Sequence, residues 1–205
     1  MRKINKSESP ASFQSFCQHH HTEWSEIHQP NTQSVYDDCL RECEKDQDGL
    51  CGYTEISLKE TTMHIDHYVK RDFDNRLTFS WENMIAAVKD SRFGADWKDS
   101  HIKRVNYDVK SRRYDNILNP VLDDFEARFV FCTDGAILPK SADDTLAINT
   151  IEIFNLNEVS LKSRRKNIMQ SVRSLIEGGF SKEEVLENVK TCGFLSAIEY
   201  ELSKY

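Results

Sequence analysis

His64, Asp66 and His67 fall within four positions of one stretch, Thr61 to Val69. A carboxylate is a natural ligand for Mg²⁺ or Mn²⁺, and a neutral imidazole is a natural base near pH 7. Hydrolysis of a phosphodiester needs both. A divalent cation neutralises the charge that develops, a base takes a proton from water, and the two flank one phosphate. Neighbouring residues of a strand point to opposite faces. Asp66 and His67 can therefore address one phosphate from two sides where a strand gives way to a loop. His64, two positions before Asp66, shares its side and can orient a ligand, contact phosphate or bind metal. The competing reading is an ordinary polar strand end carrying surface histidines, and the Asp-His pair alone does not separate the two.

The elements around the pair decide what it can reach. Thr61 to Val69 is rich in β-branched and aromatic residues and reads as a strand. Arg71 to Arg76 is a polar loop. Trp81 to Val88 reads as an apolar helical run with Ser80 as N-cap, so that Asn83 opens a helix. Upstream, Phe13, Phe16, Cys17 and His20 follow helical spacing. His19, His20 and His21 do not converge on one ion, because adjacent helical residues point about 100° apart. Residues 34–46 form an amphipathic helix with Val35, Cys39, Leu40 and Cys43 on one side, ended near Gly49. Downstream, Phe125, Ala127, Phe129 and Phe131 alternate onto one face of a strand. Thr133-Asp134-Gly135 turns it, and Ala136 to Leu138 pairs back as a hairpin. Ile148 to Phe154 reads as a further strand and Val159 to Glu177 as a long basic helix stopped by Gly178-Gly179. Ser181 to Glu184 is a capping box for another helix, and Phe194 to Leu202 forms a last one. The class is α+β.

The 205 residues, 39% hydrophobic and 30% charged, suit one folded domain with appended elements. A net charge of −7 works against broad nonspecific binding of nucleic acid by the whole chain. Two basic clusters, Lys110 to Arg113 and Lys162 to Lys166, read first as solvated faces and second as nucleic-acid or partner contacts. No stretch approaches the roughly 20 apolar residues of a membrane span. The opening Met1-Arg2-Lys3-Ile4-Asn5-Lys6 has no apolar run behind it, so a cytoplasmic protein without a membrane partner is expected. None of the six cysteines forms a C-x-x-C pair, and reduced thiols are expected. Cys39 and Cys43 alone make an incomplete zinc site.

Asn83 stands sixteen positions after His67, and Phe93-Gly-Ala-Asp96-Trp-Lys98-Asp99 follows. In this order the chain resembles the HNH endonucleases, which are built on a ββα-metal finger. "HIDHYVKR" is similar to the family's Asp-His strand, "WENMIAA" to its central Asn on the helix, and "FGADWKD" to its distal ligand segment. The opening "MRKINKSESP" and the tail "ARFVFCTDG" through "TIEIFNLNEVSLKSRRK" resemble the HNH component of retron and Septu antiphage systems (PtuB-like). The resemblance spans most of the chain.

The resemblance implies a ββα-metal finger within a mainly helical domain that carries a small C-terminal strand and helix region. Its divisions are an N-terminal helical segment over 1–48, the nuclease core over 49–105, and a packing or partner-binding region over 106–205. Asp66 matches the first metal ligand, His67 the base that activates water, and Asn83 the residue that holds the connecting loop. Asp96 falls nearest the second ligand, with Asp90 and Asp99 as rivals, where the family has His or Asn. Arg71 and Lys98 are phosphate contacts by position. The implied cofactor is Mg²⁺ or Mn²⁺. Many relatives hold a structural zinc on two C-x-x-C knuckles. Here Cys51-Gly-Tyr-Thr54 keeps one cysteine and Val88-Lys-Asp-Ser91 none, so no structural zinc is expected. Packing of Tyr53, Phe79, Trp81, Phe93 and Trp97 must replace it. The implied partners are an ABC/SMC-like ATPase (PtuA-like), a nucleic-acid substrate, either DNA or RNA such as tRNA, and a retron reverse transcriptase with its msDNA. The alternative is a catalytically degenerate fold acting as a binding or regulatory subunit.

Overall fold

The computed structural model describes residues 1–102, 114–125 and 127–205. The basic cluster Lys110 to Arg113 lies outside the described residues. The fold is mixed α+β. In order come α1 (Ala11–Cys17), α2 (Gln33–Asp46), β1 (Met63–His67), β2 (Met84–Val88), α3 (Gly94–His101), β3 (Phe129–Phe131), β4 (Ile137–Pro139), α4 (Thr145–Ile153), α5 (Val159–Glu177), α6 (Lys182–Val189) and α7 (Leu195–Leu202). Among the described residues the strands make two antiparallel pairs, β1 with β2 and β3 with β4.

β1 and β2 pair from Met63 opposite Val88 to His67 opposite Met84. The expected helix over Trp81 to Val88 is not formed. A single 3₁₀ turn, Trp81–Asn83, leads directly into β2. Met84, Ile85, Ala86, Ala87 and Val88 are all buried, so both faces of the strand are apolar. A short apolar run of that kind has no period to tell strand from helix. Burying its Met, Ile and Val side chains stabilises the fold by roughly 1.5–3 kcal/mol each. The outer edge of β2 must also find partners for its backbone. The Gln47 amide supplies them, accepting from Ala86 N and donating to Ala86 O, both at 2.8 Å. Lys6 Nζ donates to Met84 O at 3.0 Å. Gly52 is needed here because a Cβ at that position would fall 2.4 Å from the Ile85 methyl. Ser80 makes no side-chain cap, and its hydroxyl turns to Glu82 instead.

α3 begins where Gly94 N donates to Phe154 O at 2.9 Å. It buries Gly94, Ala95 and Lys98 on one stripe. Strand, strand and helix thus follow one another over Met63–His101.

Two other readings of the sequence change. Ile148 to Phe154 is not a strand but the end of α4 and its cap. The Asp144 side chain accepts from Ala147 N, and Ala147, Thr150 and Ile153 fall on one helical face. Thr150 and Ile153 pack inward there, and tertiary burial outweighs their strand preference. The expected strand Phe125 to Cys132 shrinks to Phe129–Phe131, because Ala127 takes φ +57 and breaks the extended run. The hairpin partner is present, with Gly135 at φ +83 in the turn. α1 ends at Cys17, so His20 lies beyond it. The expected α2, α5, α6 and α7 form, α6 with the Ser181–Glu184 capping box.

One hydrophobic core draws on all three stretches of the chain, from Met1 and Phe13 through Tyr53 and Ile85 to Phe154 and Phe194. A smaller cluster of Val172, Val185, Val189, Ile198 and Leu202 sits among α5, α6 and α7. No helix of the described residues is long and apolar enough to cross a membrane.

Candidate active site

Asp66 and His67 occupy the last two positions of β1 and are buried, each 6% exposed. They line a cleft of about 220 Å³ together with Trp24, His64, Lys70, Arg71, Asp96 and Asp99.

His67 Nε2 lies 2.8 Å from the carbonyl oxygen of Thr78. A carbonyl only accepts, so Nε2 carries the ring proton and Nδ1 is left with its lone pair. Among the described residues Nδ1 has no hydrogen-bond partner. The Trp24 ring stands edge-on to the imidazole at 4.5 Å and 87°. Burial pulls the His67 pKa down to about 4, against the smaller opposing effect of the Thr78 bond, and the charges of Arg71 and Lys98 push the same way as burial. At neutral pH the ring is an uncharged base.

Asp66 is gripped on one edge. Tyr53 donates to Oδ2 at 2.5 Å, and Lys98 Nζ lies 3.1 Å from the same oxygen. Oδ1 has no hydrogen-bond partner among the described residues. Tyr53 is itself fixed by stacking on Phe154, with ring centroids 4.5 Å apart. The C-terminal half of the chain therefore reaches Asp66 through two side chains.

Asn83 ends the 3₁₀ turn rather than opening a helix, and it is buried. Its Oδ1 accepts from Val69 N at 2.8 Å, and its Nδ2 donates to Val69 O and Leu77 O, both at 3.1 Å. These three bonds pin both ends of the loop between β1 and β2. The same loop carries the Thr78 carbonyl that holds His67.

The remaining sequence-derived residues separate. Asp96, on the first turn of α3, and Asp99 both line the cleft. Asp90 does not; it is bound by Arg92 through Nε at 3.0 Å and Nη2 at 2.7 Å. Arg71 is exposed at the cleft wall, over the Trp24 ring. Lys98 has no exposed surface, so it makes no phosphate contact from this position. Its ammonium donates inward to His67 O at 2.9 Å and Tyr68 O at 3.0 Å. Nζ also forms an ion pair with Asp99 Oδ1 at 2.7 Å. Burial raises the Asp99 carboxyl above the usual carboxylate range, Lys98 opposing this and Asp66 adding to it. His64 Nδ1 is buried without a partner.

In the second basic cluster Lys162, Arg164 and Arg165 are held by partners within the protein, and Lys166 is exposed. Arg165 is buried, donating to Gly135 O at 2.7 Å and to Leu156 O. Lys162 pairs with Asp134 and Arg164 with Glu60.

Sequence reasoning missed Trp24, Tyr53, Lys70 and Thr78. Trp24 and Tyr53 reach the site only through the tertiary fold, Thr78 acts through its backbone carbonyl, and Lys70, three positions after His67, was passed over within the motif itself. Among the described residues no three His, Cys, Asp or Glu side chains group as a complete metal-binding set. The donors present are Asp66 Oδ1, the Asp96 and Asp99 carboxylates and the unpartnered His64 Nδ1. These residues line one cleft without grouping as a ligand set, and carboxylate oxygen is the donor type that Mg²⁺ and Mn²⁺ take. Mg²⁺ keeps several waters and takes one or two carboxylates plus substrate phosphate. No family model and no curated protein sequence matches the chain.

Proposed function

We propose that the chain is a metal-dependent endonuclease of the HNH kind, with β1, β2 and α3 as its ββα finger. The observation that carries this reading is the bond from His67 Nε2 to Thr78 O. It leaves Nδ1 as a neutral base within one residue of a carboxylate whose Oδ1 has no hydrogen-bond partner among the described residues. That is the arrangement hydrolysis of a phosphodiester requires.

In this reading Asp66 and Asp96 would hold Mg²⁺ or Mn²⁺, and His64, which lines the same cleft, would support them. The ion, when bound, neutralises the charge that builds on the phosphate and on the leaving oxygen. His67 Nδ1 takes the proton of the attacking water, while Thr78 O keeps the other ring nitrogen protonated. Trp24 shields the imidazole from bulk water. Asn83 keeps the loop, and with it the Thr78 carbonyl, in register with the strand end. Arg71 meets the phosphate from the open wall of the cleft.

The partners rest on the resemblance of the chain's opening and tail to the HNH component of retron and Septu antiphage systems. They are an ABC/SMC-like ATPase that gates the nuclease and, in the retron setting, a reverse transcriptase with its msDNA. The acidic balance of −7 suits a subunit that borrows nucleic-acid affinity from a partner. The residues named here address phosphate, which DNA and RNA share and which carries no sequence information.

One observation favours the second reading, a degenerate fold used as a binding or regulatory subunit: a lysine ammonium already sits against Asp66. Metal binding by the co-purified complex separates the two. Mn²⁺ affinity that is lost in Asp66→Ala, with Mg²⁺-dependent cleavage of DNA or tRNA, supports the nuclease. Absence of divalent binding, with no effect of Asp66→Ala, supports the regulatory subunit.

A further inference from the structure

The Lys98 ammonium is enclosed by four oxygens. They are the carbonyls of His67 and Tyr68 at 2.9 and 3.0 Å, Asp66 Oδ2 at 3.1 Å and Asp99 Oδ1 at 2.7 Å. Two carboxylates and two carbonyls are the kind of donor set that a hard divalent cation takes. The side chain is completely buried, where an uncompensated charge is strongly unfavourable. The cage is therefore matched to a cation, and the chain supplies that cation itself.

The two edges of Asp66 differ accordingly. Oδ2 faces the cage and already has Tyr53 and Lys98. Among the described residues Oδ1 has no hydrogen-bond partner, and Asp66 lines the cleft. An ion in the cage would bind the main chain of His67 and Tyr68 at the wrong edge of the carboxylate. We propose that Lys98 is a positioning residue. Its ammonium fills the oxygen cage at the Oδ2 edge of Asp66, denies that cage to divalent ions, and so confines a metal to the Oδ1 edge in the cleft lined by His67. This rests on the metal-dependent reading above for the ion's native place. The claim about the cage stands on geometry alone.

A lysine that only stabilised the fold would, when removed, weaken both folding and metal binding. A lysine that blocks a cation cage does the opposite to metal binding. Removing a positive charge beside two carboxylates favours a second cation by about tenfold or more. The test is Mn²⁺ titration of wild type and Lys98→Ala, with cleavage by the co-purified complex measured alongside. Lys98→Ala is expected to bind Mn²⁺ about tenfold or more tighter than wild type and to lose about a hundredfold in cleavage rate, as a misplaced catalytic group does. Anomalous scattering from a Mn²⁺-soaked crystal of the variant should place the ion against the carbonyls of His67 and Tyr68.

If Lys98→Ala folds only with Mn²⁺ present, the inference is supported, since the ion then replaces the ammonium. A variant that binds Mn²⁺ no tighter than wild type, or that stays unfolded at saturating Mn²⁺, overturns it. The wild-type titration is read separately. A wild-type chain without Mn²⁺ affinity sinks the metal-dependent reading, while tight binding by Lys98→Ala would still uphold the cage.

Discussion

The carbonyl oxygen of Thr78 accepts from His67 Nε2 at 2.8 Å, and that single bond fixes which nitrogen of the ring is basic. Thr78 stands eleven positions after His67, and Asn83 holds both ends of the loop between them. The chemistry proposed for His67 is thus a property of the loop as much as of the strand.

The first prediction follows from the low pKa of His67, held at about 4 mainly by burial. The unfolded chain takes up its proton near the ordinary value of 6.5, above the folded value. Stability from keeping this ring neutral is fully present above pH 6.5 and is lost as pH falls through the window from 6.5 to about 4. The loss amounts to roughly 3 kcal/mol. Urea midpoints taken between pH 7 and pH 4.5 should fall for wild type and change less for His67→Gln. Equal slopes for the two proteins would show that another group governs the window. Cleavage, if the base is His67, should persist to pH values well below those of an ordinary histidine base.

Asn83→Ala removes three buried hydrogen bonds at once. A loss of about 3 kcal/mol is expected, read from chemical denaturation. Hydrogen exchange should speed at Val69 N, which loses its acceptor. A variant as stable as wild type would mean that the loop is held by its other contacts.

Tyr53→Phe removes one of the two cationic or hydrogen-bonding partners of Asp66 Oδ2 while leaving the ring to stack on Phe154. The bond is to a charged acceptor, so a cost of about 1.5–3 kcal/mol is expected. Thermal denaturation measures it. A smaller effect would assign the grip on Oδ2 to Lys98 alone.

Arg165→Ala tests the reading of the basic run on α5. Its guanidinium holds the carbonyls of Gly135 and Leu156 inside the protein. Loss of about 3 kcal/mol of stability is expected, whereas Lys166→Ala, at an exposed position, should stay within about 0.5 kcal/mol. Comparable, small effects at both positions would return the run to a solvated face.

The local part of the site was legible in the sequence because Asp66, His67 and Asn83 are close along the chain and chemically distinctive. The strand β1, the capped α6 and the long α5 were legible for the same reason: their periods and caps are local. What failed was short and apolar. Trp81 to Val88 and Ile148 to Phe154 exchange helix and strand because burial on several sides erases or mimics a period. The role of Asn83 survives this exchange, since its three bonds depend on the position of its side chain and not on a helix. Burial of Lys98 was not legible, because lysine is rarely found inside and its oxygens come from β1, its following residue and Asp99. Trp24 reaches the cleft, and Tyr53 the Asp66 carboxylate, from 43 and 14 positions before His67, and no local pattern announces such contacts.

The most direct test of the account is cleavage of DNA and tRNA by the co-purified complex in Mg²⁺, comparing wild type with His67→Ala at equal amounts of folded protein. The account predicts Mg²⁺-dependent cleavage by wild type and a loss of at least about a hundredfold in the variant, the usual contribution of a general base. Cleavage by His67→Ala at the wild-type rate would contradict it.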